Sequence, residues 1–212
     1  VKERADQDIY KILNRAEEKM YQNKLAEGRS AKSNILNTLL ATLGEKSHET
    51  QAHARRLEEL AFKIGKEINL PYLELDRLSL VASLHDIGKI IVPEDILTKP
   101  RKLTKEEWNI IKDHPAAGYR ICVNTEEFSH VAKEILSHHE RWDGSGYPEG
   151  VSGEEIPLLA RIISIVDAYD VMTNGRSYKD AMTKKMALTE IERCAGSQFD
   201  PELANVFIGI MR

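Results

Sequence analysis

Apolar residues recur at three- and four-residue spacing in one stretch after another of this chain, and no run of any length alternates apolar with polar. That pattern commits each stretch to a helix with one apolar face and offers no strands from which to build a core, so the expected fold class is all-α, a helical bundle. The faces can be followed in order. Ile9, Ile12, Leu13, Ala16 and Met20 mark a helix within residues 6–25, which Gly28 would end. Ile35, Leu36, Leu39, Leu40 and Leu43 mark a second, running toward Gly44. A third spans about Glu49 to Ile68, with Leu57, Leu60, Ala61, Ile64 and Ile68 on its inner face. Pro71 suits the first turn of a fourth, which carries Leu78 and Val81. Residues 91–103 read as a loop with a short turn. Thr104 and Glu107 then form a T-x-x-E capping box that opens another helix through Ile110 and Ile111. Phe128, Val131 and Ile135 share a face. Pro157 opens a long apolar helix, and the last two helices fall at about 184–194 and 201–211, the latter started by Asp200-Pro201.

Several of these apolar faces end in groups that do not belong in a core. His53 precedes Leu57 by four residues, and Glu49 precedes His53 by four, so all three share one side of a helix. The fourth helix delivers His85 on its inner face, followed by Asp86 and then Ile87-Gly88-Lys89. His114 stands immediately before Pro115, which suggests a junction between two helices. The face of Ile135 continues to His138, with His139 beside it. A loop follows with glycines at 144, 146 and 150 and a Tyr147-Pro148 pair. Asp167 follows Ile163 by four on the long apolar helix, and Asp170 lies one turn further on. Taken singly, each has an ordinary explanation: a hydrogen-bonded core histidine, a helix cap, a polar turn. A carboxylate on an apolar face nevertheless needs a partner, and cations are the obvious ones.

Bulk properties narrow the classes. The 212 residues allow one domain plus an attachment. A net charge of -4 argues against broad adhesion to a nucleic-acid polymer or to anionic lipid. Cys122 and Cys194 form no CxxC pair, which speaks against a zinc ribbon or a disulfide framework and for free thiols in a reducing cytoplasm. No apolar run approaches the ~18 residues of a membrane span, and no signal peptide is visible. The chain opens at Val1 inside a charged helical pattern, so it is expected to be a fragment of a longer protein.

Five of the seven histidines (53, 85, 114, 138 and 139) lie at the inner ends of expected helices, and Asp86 and Asp167 join them. Imidazole and carboxylate donors without thiolate favour iron, manganese or a similar octahedral ion over structural zinc. Asp86 stands where one carboxylate could bridge two ions. Adjacent histidines point about 100° apart on a helix, so His138 and His139 face two ions more easily than they chelate one. Two ions about 3.5–4 Å apart, with a hydroxide between them, are the usual device for phosphoester hydrolysis. No Ser, Thr or Cys nucleophile with a matching base competes with that reading.

Residues from about 45 to 212 resemble an HD-GYP domain, a branch of the HD phosphohydrolase superfamily that degrades the bacterial second messenger cyclic di-GMP. The resemblance rests on His53, the run from His85 to Lys89, His114-Pro115, His138-His139-Glu140, the run from Asp143 to Pro148, and Asp167. It implies an HD-domain helical bundle over 31–212 acting as a metal-dependent cyclic di-GMP phosphodiesterase that yields pGpG, with GMP from a second round. It also implies that His53, His85, Asp86 and Asp167 hold one ion, and that His114, His138, His139 and the bridging Asp86 hold its neighbour. Glu49 matches a glutamate that brings a third ion in some members. Lys89 would lie against the scissile phosphate, Arg176 and Lys179 would grip the phosphates of the substrate, and Tyr147 would border the cleft. Many members carry proline after the arginine, whereas Ser177 stands here.

The stretch ADQDIYKILNRAEEKMYQNKLAEGRS resembles the last helix of a diguanylate cyclase (GGDEF-type) domain, without that enzyme's signature loop. Residues 1–30 are therefore expected to be the helical tail of an upstream module or a linker, forming an N-terminal extension that could pair two copies through its apolar stripe. A sensor or scaffold without turnover, and a phosphodiesterase for another cyclic dinucleotide, remain the alternative functions.

Overall fold

The computed structural model describes residues 35–44, 51–174 and 181–212. The chain divides into two compact units, residues 1–39 and 40–212. The expected tail over 1–30, together with Glu49, Arg176 and Lys179, lies outside the described residues. All regular structure among the described residues is helical, apart from one isolated bridge between Ala195 and Phe199. The helices are α1 (residues 35–44), α2 (Gln51–Glu67), α3 (Tyr72–Leu84), α4 (Glu94–Leu97), α5 (Lys105–Lys112), α6 (His114–Val123), α7 (Ala132–Ser137), α8 (Leu158–Asn174), α9 (Lys184–Cys194) and α10 (Pro201–Met211).

Helix α8 is the axis of the larger unit. Its segment Leu159–Val166 carries Ile162, Ile163, Ile165 and Val166, all fully buried, as expected of a helix that is apolar nearly all round. Leu57, Ala61 and Ile64 of α2, Leu78 and Val81 of α3 and Ile135 of α7 complete the core. Helices α2 and α3 are joined by a tight turn in which Asn69 takes a left-handed conformation (φ 57°), and the Leu70 amide donates to the Gly65 carbonyl at 2.8 Å. Helices α9 and α10 pack beyond α8, where Tyr169 meets Phe207 edge to face at 5.1 Å.

The boundary signals act as their chemistry requires. The Thr104 hydroxyl accepts from the Glu107 amide at 3.2 Å while the Glu107 carboxylate accepts from the Thr104 amide at 2.8 Å, which starts α5 at Lys105. The Asp200 carboxylate accepts from the Glu202 and Leu203 amides and starts α10, with Pro201 in its first turn. His114 stands at the junction of α5 and α6. The face from Phe128 to His138 is buried throughout but is not one helix: a 3-10 turn over Ser129–Val131 precedes α7.

Candidate metal centre

The ends of α3, α6 and α7 meet where two glycines allow close packing, Gly88 against the backbone of α6 and Gly118 against the side chain of Ile135. His85 caps α3, and Asp86 leads into a 3-10 turn over Ile87–Ile91. A Cβ on Gly88 would fall 1.8 Å from the His114 carbonyl oxygen and 2.5 Å from the Gly118 nitrogen. A Cβ on Gly118 would fall 2.8 Å from Ile135 Cγ2. With no side chain at either place, the first turn of α6 lies directly on the turn after Asp86, and His114 reaches the carboxylate.

Five histidines and two aspartates gather there. Their donor atoms form two groups, each with all atoms within 4.8 Å of one another: Asp86, His114, His138 and His139, and beside it His53, His85 and Asp167. Asp86 Oδ1 lies 3.1 Å from His114 Nε2 and 3.9 Å from His138 Nε2, and Asp86 Oδ2 lies 3.2 Å from His85 Nε2. One carboxylate thus reaches donors of both groups. His114 Nε2 and His138 Nε2 are 3.2 Å apart, and His53 Nε2 is 3.5 Å from Asp167 Oδ1. Two donors on one ion at about 2.1 Å each stand roughly 3–4 Å apart, so these separations suit shared ions.

The imidazoles are held in one orientation. Nδ1 of His85, His114 and His138 lies 3.0, 2.7 and 2.6 Å from the backbone carbonyl three residues earlier. A carbonyl only accepts, so Nδ1 carries the proton and Nε2 offers its lone pair to the cluster. Burial, with the neighbouring histidines adding to it, pushes the His138 imidazole well below its usual range; burial takes His139 down to about 3. Both are neutral at physiological pH, the form a metal requires. Burial alone would raise the Asp86 carboxyl, but the Lys89 ammonium beside it, together with the neighbouring His85 and His114 rings, holds it well below the usual carboxylate range. Asp86 Oδ1 is buried and makes no hydrogen bond, although it faces two imidazole nitrogens. A buried anionic oxygen of this kind fits a cation. The cluster is compatible with divalent metal binding.

His138 and His139 fall in one group, contrary to the expectation that neighbours on a helix serve two ions. The reason is that α7 ends at Ser137: His138 is its cap and His139 lies beyond it, so the 100° step does not apply. Their ring centroids are 4.1 Å apart. Lys89 donates to Asp86 Oδ2 at 2.6 Å. Tyr147 stacks against His139 at 5.0 Å between centroids, with the Lys112 ammonium 5.3 Å from its ring.

Two supports went unrecognised in the sequence. In the sequence Asp170 signals only a carboxylate that needs a partner. It is buried and accepts from His53 Nδ1 at 2.7 Å, from Arg56 at 2.6 and 2.8 Å and from Asn174 at 2.8 Å. Glu140, directly after the histidine pair, is also buried; its carboxylate accepts from the Glu149 amide at 2.7 Å and the Gly150 amide at 3.1 Å, closing the loop that carries Tyr147. Gly146 allows that loop to lie against the backbone of Glu140 and Arg141, where a Cβ would come within 2.5 Å of the Glu140 Cα.

Residues 36–203 match the HD domain family, and the chain belongs to it. The cyclic di-GMP phosphodiesterase response regulator RpfG of Xanthomonas campestris pv. campestris is 37% identical over 175 residues, which is 82% of this chain and 46% of that protein. The 3'3'-cGAMP-specific phosphodiesterase 2 of Vibrio cholerae is 34% identical over 188 residues, 88% of this chain and 36% of that protein. The chain therefore spans less than half the length of these relatives. Among solved structures, a cyclic GMP-AMP specific phosphodiesterase of V. cholerae superposes with a TM-score of 0.60 at 23% identity, over 84% of this chain and 48% of that one, which places the fold. No helix among the described residues is long and apolar enough to cross a membrane.

Proposed function

We propose that this domain is a metal-dependent phosphodiesterase that opens cyclic di-GMP to linear pGpG and by a second cleavage yields GMP. The observation that carries the reading is Asp86, one buried carboxylate whose two oxygens face donors of two adjoining His/Asp groups, with Lys89 held on Oδ2 beside His85. His53, His85 and Asp167 would hold one ion and His114, His138 and His139 the other, with Asp86 within reach of both. Two divalent ions, iron or manganese by the preference of these donors, supply Lewis acidity and an activated water when bound. Lys89 stands where its ammonium can offset charge developing on the phosphate in flight. Tyr147, on the rim formed by the Glu140-anchored loop, is the contact for the body of the substrate. Arg176 and Lys179 complete the grip on the phosphates and Glu49 a third ion position. The domain works in the cytoplasm as part of a longer chain, with residues 1–30 as the helical tail of a preceding module and the place where two copies pair.

Relatives with different named substrates favour a second reading, in which the dinucleotide cleaved is 3'3'-cGAMP. Both are tested by incubating the protein with Mn²⁺ or Fe²⁺ without oxygen and separating the products of competing cyclic dinucleotides. The expected result is pGpG from cyclic di-GMP, with bound metal and turnover both lost in the His85→Ala/Asp86→Ala double variant. Full turnover by that variant refutes the mechanism. Binding of the dinucleotide without product identifies a sensor instead.

A further inference from the structure

Four histidines of the centre have a described partner at Nδ1, but the partners differ in kind. For His85, His114 and His138 it is a neutral backbone carbonyl. For His53 it is the carboxylate of Asp170, 117 positions along the chain and buried on α8. Asp170 is itself gripped by two nitrogens of Arg56 and by the Asn174 amide, so its plane and its distance from His53 are fixed from both helices. A carboxylate behind an imidazole makes the opposite nitrogen a stronger donor than a carbonyl does.

We propose that Asp170 is a positioning residue that makes the two ion positions unequal: acting through His53, it strengthens the position formed by His53, His85 and Asp167 relative to that of His114, His138 and His139. Arg56 keeps the carboxylate in the geometry that does this. The inference rests on the reading of the cluster as a two-ion centre, and it assigns Asp170 no contact with substrate.

The test is a Mn²⁺ titration of metal-free protein by calorimetry, with His53→Ala and His138→Ala proteins identifying which step belongs to which position. In Asp170→Asn, the step that His53→Ala removes should weaken by about 10–100-fold, and the other should change by less than about threefold. Nitrogen NMR of the metal-free proteins adds a reading independent of any ion: His53 should hold its proton on Nδ1 in the wild type and become a mixture of tautomers in Asp170→Asn. Arg56→Lys keeps the charge but not the two-pronged grip and should weaken the same step to a smaller extent; it carries the test if Asp170→Asn does not fold. Unchanged Mn²⁺ affinities in the folded variants overturn the inference while leaving the two-ion reading intact. A wild type that takes up no Mn²⁺ overturns the two-ion reading, and the inference with it.

Discussion

Replacing Gly88 with alanine tests how the centre is assembled. The added Cβ would sit 1.8 Å from the His114 carbonyl oxygen, 2.5 Å from the Gly118 nitrogen and 2.8 Å from the His114 carbonyl carbon. Carbon and carbonyl oxygen approach comfortably to about 3.3 Å, so roughly 1.5 Å must be found. All three neighbours are backbone atoms, so no rotamer change relieves the clash. The first turn of α6 must move away from the turn after Asp86, taking His114 with it and opening the 3.1 Å approach of its Nε2 to Asp86. Overpacking of this kind costs up to about 3 kcal/mol or more. At roughly 2–4 °C per kcal/mol for a chain of this size, the melting temperature should fall by about 6–12 °C. A misplacement of about 1 Å at a reacting centre costs roughly 10²-fold in rate. Gly118→Ala is the milder comparison: its Cβ meets a side-chain methyl, Ile135 Cγ2, at 2.8 Å, and backbone, the Gly88 nitrogen, only at 3.4 Å. That variant should lose about 1–2 kcal/mol, the lower part of the overpacking range, and leave His114 in place. Thermal unfolding of metal-free protein, Mn²⁺ binding and hydrolysis of cyclic di-GMP read the three consequences. If Gly88→Ala matches Gly118→Ala in melting temperature and Mn²⁺ affinity, the close approach does not assemble the site.

Glu140→Ala leaves the Glu149 and Gly150 amides without their carboxylate and should cost about 1–3 kcal/mol in urea unfolding, with KM raised more than kcat because the loop it anchors carries no metal donor. Arg161→Met strands the buried Asp200 carboxylate, which Arg161 meets at 2.6 Å; a loss of about 3–5 kcal/mol is expected in denaturant titration, although the cap of α10 survives. Burial pushes the Cys122 thiol up to about 12, so it stays protonated at pH 8 and should react with iodoacetamide only after unfolding, as peptide mass mapping will read. On the proposed function the ions held by the His/Asp donors meet the phosphodiester shared by all cyclic dinucleotides, so His53→Ala should slow cyclic di-GMP and 3'3'-cGAMP alike; a changed ratio in a competition assay would mean that the donors also read the bases.

What was legible in the sequence follows from the range over which each interaction acts. Helical periodicity is local, and so the elements could be read off: a capping box needs Thr104 and Glu107, a start needs Asp200 and Pro201, and both pairs lie within one turn. The donors were legible for a related reason. His85, His114 and His138 each take their orientation from a carbonyl only three residues back, so the helix that presents the imidazole also aims it. His53 is different. Its orientation depends on Asp170, 117 positions away, and Asp170 depends in turn on Arg56 of α2. No spacing rule links α2 to α8, and Asp170 on an apolar face signals only that some partner exists. The same limit applied to His139, whose direction is set by where α7 stops. A helix ending at Ser137 was hidden because the apolar face runs unbroken from Phe128 to His138, across a 3-10 turn that keeps the same side buried. Glycine supplied the remaining gap: Gly88 reads as a helix terminator in the sequence, but in the fold it is the contact that brings His114 to Asp86, and only the atoms of α6 make that role visible.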